Sequence, residues 1–147
     1  MQEIDSYACV VAGIAIRTNN QEAAQTIPSL WQRFFSEQVP AKIPNPTSDD
    51  VFAVYTDFEH KGVSNEGEYT FLIGLPVQDT EQLPDECSAV EIPASNYRRF
   101  DVEKGRPEKV FEKWQEIWRM NDLNKSYQCD YERYRSSGEI SIHVGTK

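Results

Sequence analysis

The segment Asp130-Tyr131-Glu132-Arg133-Tyr134 alternates between two sets of side chains, as a β-strand does. Successive strand residues point to opposite faces of a sheet, so Glu132 and Tyr134 share one face while Tyr131 and Arg133 share the other. An ionised carboxylate on the inner face of a sheet costs several kcal/mol unless it gains a partner. We therefore expect Glu132 to meet either an internal partner, such as an arginine or a tyrosine hydroxyl, or a cationic ligand.

A similar strand occurs in the first half of the chain, and a similar helix precedes each of the two strands. The strand counterpart is Phe52-Ala53-Val54-Tyr55. The helix patterns are Ile27-x-x-x-Trp31-x-x-Phe34-Phe35 and Val110-x-x-x-Trp114-x-x-Ile117-Trp118, each with its apolar residues on one face. We interpret the match as a tandem duplication of a strand, helix and hairpin unit. It predicts a single domain over residues 1–147, divided into repeat one at about 6–78, a linker at about 79–86 and repeat two at about 87–147.

The alignment of the two repeats differs at one position that matters for function. Ala53 takes the place of Glu132, whereas Tyr55 takes the place of Tyr134. Two such units can share one sheet and one cleft, because neither has enough core alone. The sequence therefore predicts a pocket in which two tyrosines approach one carboxylate, with a small residue opposite.

The remaining elements follow from periodicity and from turn residues. Pro28 suits the first position of the first helix, Pro107 opens the second helix, and a polar loop is expected from Asn121 to Gln128. Extended segments are predicted at Tyr7–Arg17, Val51–Phe58, Glu68–Val77, Ser88–Ile92, Asn96–Val102 and Ile140–Val144.

Composition excludes several classes of protein. Of the 147 residues, 39% are hydrophobic and 12% are aromatic, which is too many for a disordered chain. No apolar run reaches the roughly 18 residues of a membrane span, and the acidic start Met1–Asp5 differs from a secretory signal, so the cytoplasm is the expected location.

The net charge of -9 disfavours direct DNA binding. Cys9, Cys87 and Cys129 include no Cys-x-x-Cys pair, so we expect free thiols and no metal site.

Three motifs together resemble the GyrI-like effector-binding domains. They are Val51-Phe52-Ala53-Val54-Tyr55-Thr56-Asp57-Phe58-Glu59, Gly67-Glu68-Tyr69-Thr70-Phe71-Leu72-Ile73-Gly74, and Ile92-Pro93-Ala94-x-x-Tyr97-x-x-Phe100 with Gly105 before the Trp114 helix. These domains are the ligand-sensing parts of AraC-type and MerR-type multidrug transcription regulators, and they also occur alone, including in integron-associated proteins. The resemblance implies an α+β fold, with a duplicated unit forming a curved antiparallel sheet of about eight strands and two helices.

The resemblance also implies a function and a site. Glu132 matches the buried glutamate that meets lipophilic cations in the family, and no room is left for a helix-turn-helix segment. We expect a stand-alone, non-enzymatic receptor for a small organic cation, without a cofactor and without membrane binding. The expected ligand-binding residues are Glu132, Tyr134, Tyr55, Tyr69, Trp114 and Trp118, although Trp31, Trp114 and Trp118 also suit a helix core.

Three alternatives stay open at this point. Glu132 could be a structural carboxylate paired with Arg133, Arg98, Arg99 or Lys113. It could instead serve a small hydrolase as general base, because a glutamate with a raised pKa beside a tyrosine suits proton transfer. The chain could also be an interaction or inhibitor module of the gyrase-inhibitor type that binds a partner regulator through a sheet edge or an apolar patch.

Overall fold

A computed structural model of the chain describes residues 2–5 and 9–147, with side chains described for 9–147. The described strands are β1 (Gln2–Asp5), β2 (Cys9–Asn19), β3 (Val51–Thr56), β4 (Glu68–Val77), β5 (Ser88–Ile92), β6 (Asn96–Val102), β7 (Lys125–Tyr134) and β8 (Ile140–Thr146). The helices are α1 (Ala23–Ser36), the short α2 (Val39–Lys42), and α3 (Val110–Trp118), which follows a single turn of 3-10 helix at Pro107–Lys109. The predicted α+β class is confirmed.

The described strands form one antiparallel sheet in the order β1-β6-β8-β7-β3-β4-β2-β5. Outward from the seam between β3 and β7, β4 and β2 follow on one side, and β8 and β6 follow on the other. The two edges exchange strands, because β1 pairs with β6 and β5 pairs with β2. This symmetric order supports a duplicated unit with a pseudo-twofold axis at the seam, while the boundaries of the repeats stay a prediction.

The seam places Ala53 directly opposite Glu132, and Tyr55 directly opposite Asp130. The alignment of the repeats also matches Ala53 to Glu132, so the pseudo-twofold axis passes beside this pair. Both residues lie on the face that carries the helices. On that face, α1 packs its buried Leu30 and Phe34 against the first half of the sheet, and α3 packs Trp114 and Ile117 against the second half. The opposite face holds a separate buried cluster: Val11, Phe52, Val54, Leu72, Ile92, Tyr97, Cys129 and Tyr131.

Two predicted boundaries are wrong. Pro28 lies inside α1 instead of opening it, because the helix begins at Ala23 behind a turn in which Asn19 Oδ1 accepts the backbone N–H of Glu22 at 2.9 Å. The predicted loop Asn121–Gln128 is partly strand, since β7 begins at Lys125. Its register shifts between Lys125 and Asp130, and this β-bulge interrupts the alternation by which a strand is recognised in sequence.

Within the described residues, no helix is long and apolar enough to cross a membrane.

Candidate functional site

A cavity of about 770 Å³ lies where α1 and α3 face the seam of the sheet. All six residues predicted as ligand-binding line it: Tyr55, Tyr69, Trp114, Trp118, Glu132 and Tyr134. The cavity is also lined by residues that were not expected at the site, among them Trp31, Phe58, Phe111, Lys125, Tyr127 and Asp130. The volume is that of a site for a drug-sized ligand, and its walls are mainly aromatic.

Glu132 is only 3% exposed and accepts three hydrogen bonds from neutral donors. The Tyr55 hydroxyl and the Trp114 indole N–H each donate to Oε2 at 2.7 Å, and the Tyr134 hydroxyl donates to Oε1 at 2.6 Å. The expected internal partner therefore includes tyrosine hydroxyls. No ion pair of Glu132 is found among the described residues: Arg133 lies on the other face and binds Asp50 at 2.8 Å, and Lys113 pairs with Glu116 at 3.1 Å.

The charge state of Glu132 reflects a competition between burial and hydrogen bonding. Burial raises the pKa of its carboxyl, because removal from water disfavours the ionised form. Hydrogen bonds from Tyr134, Tyr55 and Trp114 lower the pKa in part. Burial, together with the nearby carboxylate, raises the pKa of the Tyr55 and Tyr134 hydroxyls well above 10.0, so both remain donors. Glu132 is thus a buried carboxyl group whose hydrogen-bond donors all remain neutral.

The aromatic walls come from both helices and from the sheet. Trp31 of α1 meets the Tyr134 ring edge-on at 5.1 Å between centroids, and Trp114 of α3 meets Tyr55 edge-on at 5.5 Å. Tyr69 is buried, and its hydroxyl donates to Asn20 Oδ1 at 3.0 Å. Burial raises the pKa of Tyr69 to about 12. Each ring face can attract a cation by about 0.5 to 2 kcal/mol.

The position of Trp118 on the apolar face of α3 also suited a core residue, but Trp118 is not buried. It is 45% exposed and stacks on Trp114 with centroids 6.1 Å apart, so it lies at the rim of the cavity. Phe111, two turns earlier, is 61% exposed and meets Trp118 edge-on. The exposed part of the apolar face of α3 therefore borders the cavity.

Asp130 is a second carboxylate of the cavity, two residues before Glu132 on the same face of β7. Its Oδ1 accepts the backbone N–H of Gly145 at 2.9 Å. Burial raises the pKa of Asp130 to about 6, while the Gly145 hydrogen bond and Lys125 act in the opposite direction. The signal was present in the sequence, since period-two alternation assigns Asp130 to the face of Glu132 and Tyr134.

The β-bulge of β7 brings Lys125 and Tyr127 to the same cavity. Tyr127 has a positive φ of 52°, which a non-glycine residue rarely adopts. Gly145 on β8 lies against this bulge, and a Cβ atom there would stand 2.5 Å from the Cys129 carbonyl oxygen. Burial lowers the pKa of Lys125, and Asp130 counteracts that effect. No sequence pattern indicated this bulge.

Neither histidine lines the cavity. His143 is buried on the opposite face, where it stacks on Tyr131 at 4.4 Å and shares a 2.8 Å hydrogen bond with Ser141. Burial and neighbouring arginines lower its pKa to about 3. His60 is exposed in a turn. In the part of the chain that the structure describes, no three His, Cys, Asp or Glu side chains are grouped so as to hold a metal ion.

Sequence comparison relates the chain to effector-binding proteins. Residues 4–145 match the sequence profile of a family described as integron-associated effector binding protein, Cass2. The chain is 27% identical over 148 residues to YobU of Bacillus subtilis (strain 168), which is named for transcriptional regulation. That match covers 92% of this chain and 91% of YobU.

Two solved structures share the fold. An integron cassette protein from the mobile metagenome of Vibrio cholerae superposes with a TM-score of 0.81 at 21% identity, covering 99% of this chain and 95% of that one. SAV2435, solved with tetraphenylphosphonium bound, superposes with a TM-score of 0.82 at 16% identity, covering 100% of this chain and 94% of that one. At these identities the likeness concerns the fold.

Proposed function

The chain belongs to the family of integron-associated effector binding proteins, Cass2, and we propose that its cavity binds lipophilic organic cations with Glu132 as the counter-ion. It is thus an effector-binding protein related to the ligand domains of transcription regulators. The observation that carries the proposal is a glutamate only 3% exposed, without a cationic partner among the described residues, in the wall of an aromatic cavity.

The contacts of Glu132 support a role as a fixed negative charge. Three donors hold the carboxylate in one position, so little side-chain freedom is lost when a ligand arrives. All three donors are neutral, so the negative charge is solvated but not neutralised. A cation that enters the cavity supplies the missing positive charge, and the free energy gained is larger than in water because Glu132 is buried.

The walls favour a cation with a delocalised or shielded charge. Such an ion is weakly hydrated, so it loses little solvation on leaving water, and the surrounding rings add cation–π attraction. A compact, strongly hydrated ammonium would lose more solvation free energy on entering the cavity. That SAV2435, a protein of the same fold, was solved with tetraphenylphosphonium bound supports this ligand class.

The geometry gives less support to Glu132 as a general base. Oε2 already accepts two hydrogen bonds and Oε1 accepts a third, and all three stabilise the carboxylate against taking up a proton. Each of these hydrogen bonds lowers the proton affinity of the carboxylate and so makes it a weaker base. The receptor role therefore accounts for the arrangement better than the hydrolase role.

The test uses two ions of the same shape and opposite charge. We expect tetraphenylphosphonium to bind with micromolar affinity, about -8 kcal/mol, and tetraphenylborate to bind at least tenfold more weakly. Glu132→Gln keeps the shape of the side chain and removes its charge, so it should weaken the phosphonium at least tenfold and narrow the difference between the two ions. Calorimetric titration gives both affinities. Equal binding of the two ions, or a phosphonium affinity unchanged in Glu132→Gln, overturns the proposal.

A further inference from the structure

We propose that the preferred ligand carries two cationic centres, one facing Glu132 and the other facing Asp130. This inference rests on the proposed function, because it describes the ligand of the same cavity. It concerns how many charges that ligand carries and how far apart they lie.

The wall of the cavity carries more carboxylates than ammonium groups. Among the described residues that line the cavity, Glu108, Asp130 and Glu132 are acidic and Lys125 is basic. Glu108 is exposed to solvent, which screens its charge, so the carboxylates of the cavity interior are Asp130 and Glu132. A monocation that faces Glu132 would leave Asp130 with only the more distant Lys125, whereas a dication can face both carboxylates.

Asp130 uses only one of its two carboxylate oxygens in hydrogen bonds with the described residues. Oδ1 accepts the Gly145 N–H, whereas Oδ2 has no hydrogen-bond donor among the described residues. Lys125 is near enough to influence Asp130 electrostatically, yet no ion pair within 4.0 Å joins these two described side chains. Asp130 is thus held in position on one side, and its other oxygen stays available to a ligand in the cavity.

The spacing of the two carboxylates suits a small dication. Asp130 and Glu132 are alternate residues of β7, so their Cα atoms lie about 6.6 Å apart on one face of the strand. Tyr55 lies opposite Asp130 and its hydroxyl donates to Glu132, so its side chain extends from the level of Asp130 toward Glu132. A ligand with an aromatic or aliphatic spacer and two charges about 6 to 8 Å apart would therefore face both carboxylates while its spacer contacts the Tyr55 ring.

The experiment compares two probes that share one skeleton. One is the para-xylylene-bis(trimethylammonium) dication, and the other is the para-methylbenzyl-trimethylammonium monocation, whose charges do not titrate. We expect the protein to bind the dication about tenfold more tightly than the monocation. Asp130→Asn should weaken the dication about tenfold and the monocation by no more than about twofold, since asparagine keeps the acceptor for the Gly145 N–H.

Two further variants make the outcome unambiguous. Glu91→Gln removes one charge from an exposed position of β5 outside the cavity, so it controls for general attraction of cations to an acidic protein and should keep the tenfold preference. Lys125→Met removes the ammonium near Asp130 and should strengthen the dication more than the monocation. It also serves as the second test if Asp130→Asn does not fold.

The results separate this inference from the proposed function. If Glu132→Gln weakens both probes but Asp130→Asn affects them equally, the cavity is a site for monocations and the present inference is wrong. It is also wrong if the unaltered protein does not prefer the dication, or if Lys125→Met improves both probes alike. If Glu132→Gln affects neither probe, the proposed function itself fails.

Discussion

The indole N–H of Trp114 donates a 2.7 Å hydrogen bond to Glu132 Oε2, and this bond ties the middle of α3 to the central strand β7. The same oxygen accepts the Tyr55 hydroxyl from β3. One carboxylate oxygen therefore connects a helix with both strands of the seam. A ligand that changes the position or charge of Glu132 acts on all three elements together.

Replacement of Trp114 by phenylalanine should reveal the contribution of this bond. Trp114→Phe keeps an aromatic ring but removes the donor, so the ionised form of Glu132 loses support and its pKa should rise further. We expect tetraphenylphosphonium to bind about three- to tenfold more weakly, and the loss of binding on acidification to begin at higher pH. Tryptophan fluorescence or calorimetry measures both effects.

Trp118→Phe is the matched control. It removes an indole that also lines the cavity but makes no described hydrogen bond to Glu132. The pH at which binding is lost should therefore not move in this variant. Equal shifts in the two variants would contradict the role given to the Trp114 bond.

Cation binding should weaken as the solution becomes acidic. Because burial raises the pKa of Glu132 above 4.5, its protonation begins at a pH above the usual range of a glutamate. A neutral Glu132 cannot act as counter-ion. We expect the affinity for tetraphenylphosphonium, whose charge does not titrate, to fall as pH decreases toward that pKa. A titration series over pH measures it, and a flat profile in the unaltered protein would argue against a charged Glu132 in the complex.

Asp130 should make the protein less stable at neutral pH than at mildly acidic pH. Its pKa of about 6 in the folded state exceeds the roughly 3.9 of an unfolded aspartate, so the folded state binds the proton more tightly. Its contribution to the free energy of unfolding therefore rises as pH falls from about 7 to about 4. The difference in stability between the unaltered protein and Asp130→Asn should therefore shift in favour of the unaltered protein as pH falls. Thermal unfolding of both proteins at several pH values measures this difference.

A comparison with the variant is needed because His143 acts in the opposite direction. Its pKa of about 3 in the folded state lies below the usual 6.5, so acid favours the unfolded state at this site. His143 is present in both proteins, and its contribution cancels in the difference. A difference that is independent of pH would show that Asp130 titrates normally.

Gly145→Ala should damage both stability and the second carboxylate. A Cβ atom at this position would lie 2.5 Å from the Cys129 carbonyl oxygen and 2.7 Å from Ser126 Oγ, so β7 or β8 must shift. We expect a loss of about 1 to 3 kcal/mol in the free energy of unfolding, as for other overpacked sites. Because Gly145 also donates to Asp130, the preference for a dication over a monocation should decrease. Denaturant unfolding and the two-probe titration test this, and unchanged stability would contradict the tight packing at the bulge.

Much of the architecture was predictable because it depends on local periodicity. The bounds of β4, β5 and β6 agree with the predicted segments, since each is bordered by turn residues and alternates regularly. The start of β7 was not predictable, because its bulge breaks the alternation, and β1 was not predicted at all. Pro28 misled the prediction of α1, since a proline is more common at the start of a helix than inside it.

The sequence by itself determined the class of fold and the face on which Glu132, Tyr134 and Tyr55 lie, because side-chain direction in a strand follows residue parity. Only the tertiary structure decided which groups meet there. The Tyr55 hydroxyl reaches Glu132 across 77 positions of the chain, and Trp114 reaches it from a helix. Strand order, register and the bulge set those distances, and each depends on pairing between remote segments, for which no local pattern gives the geometry.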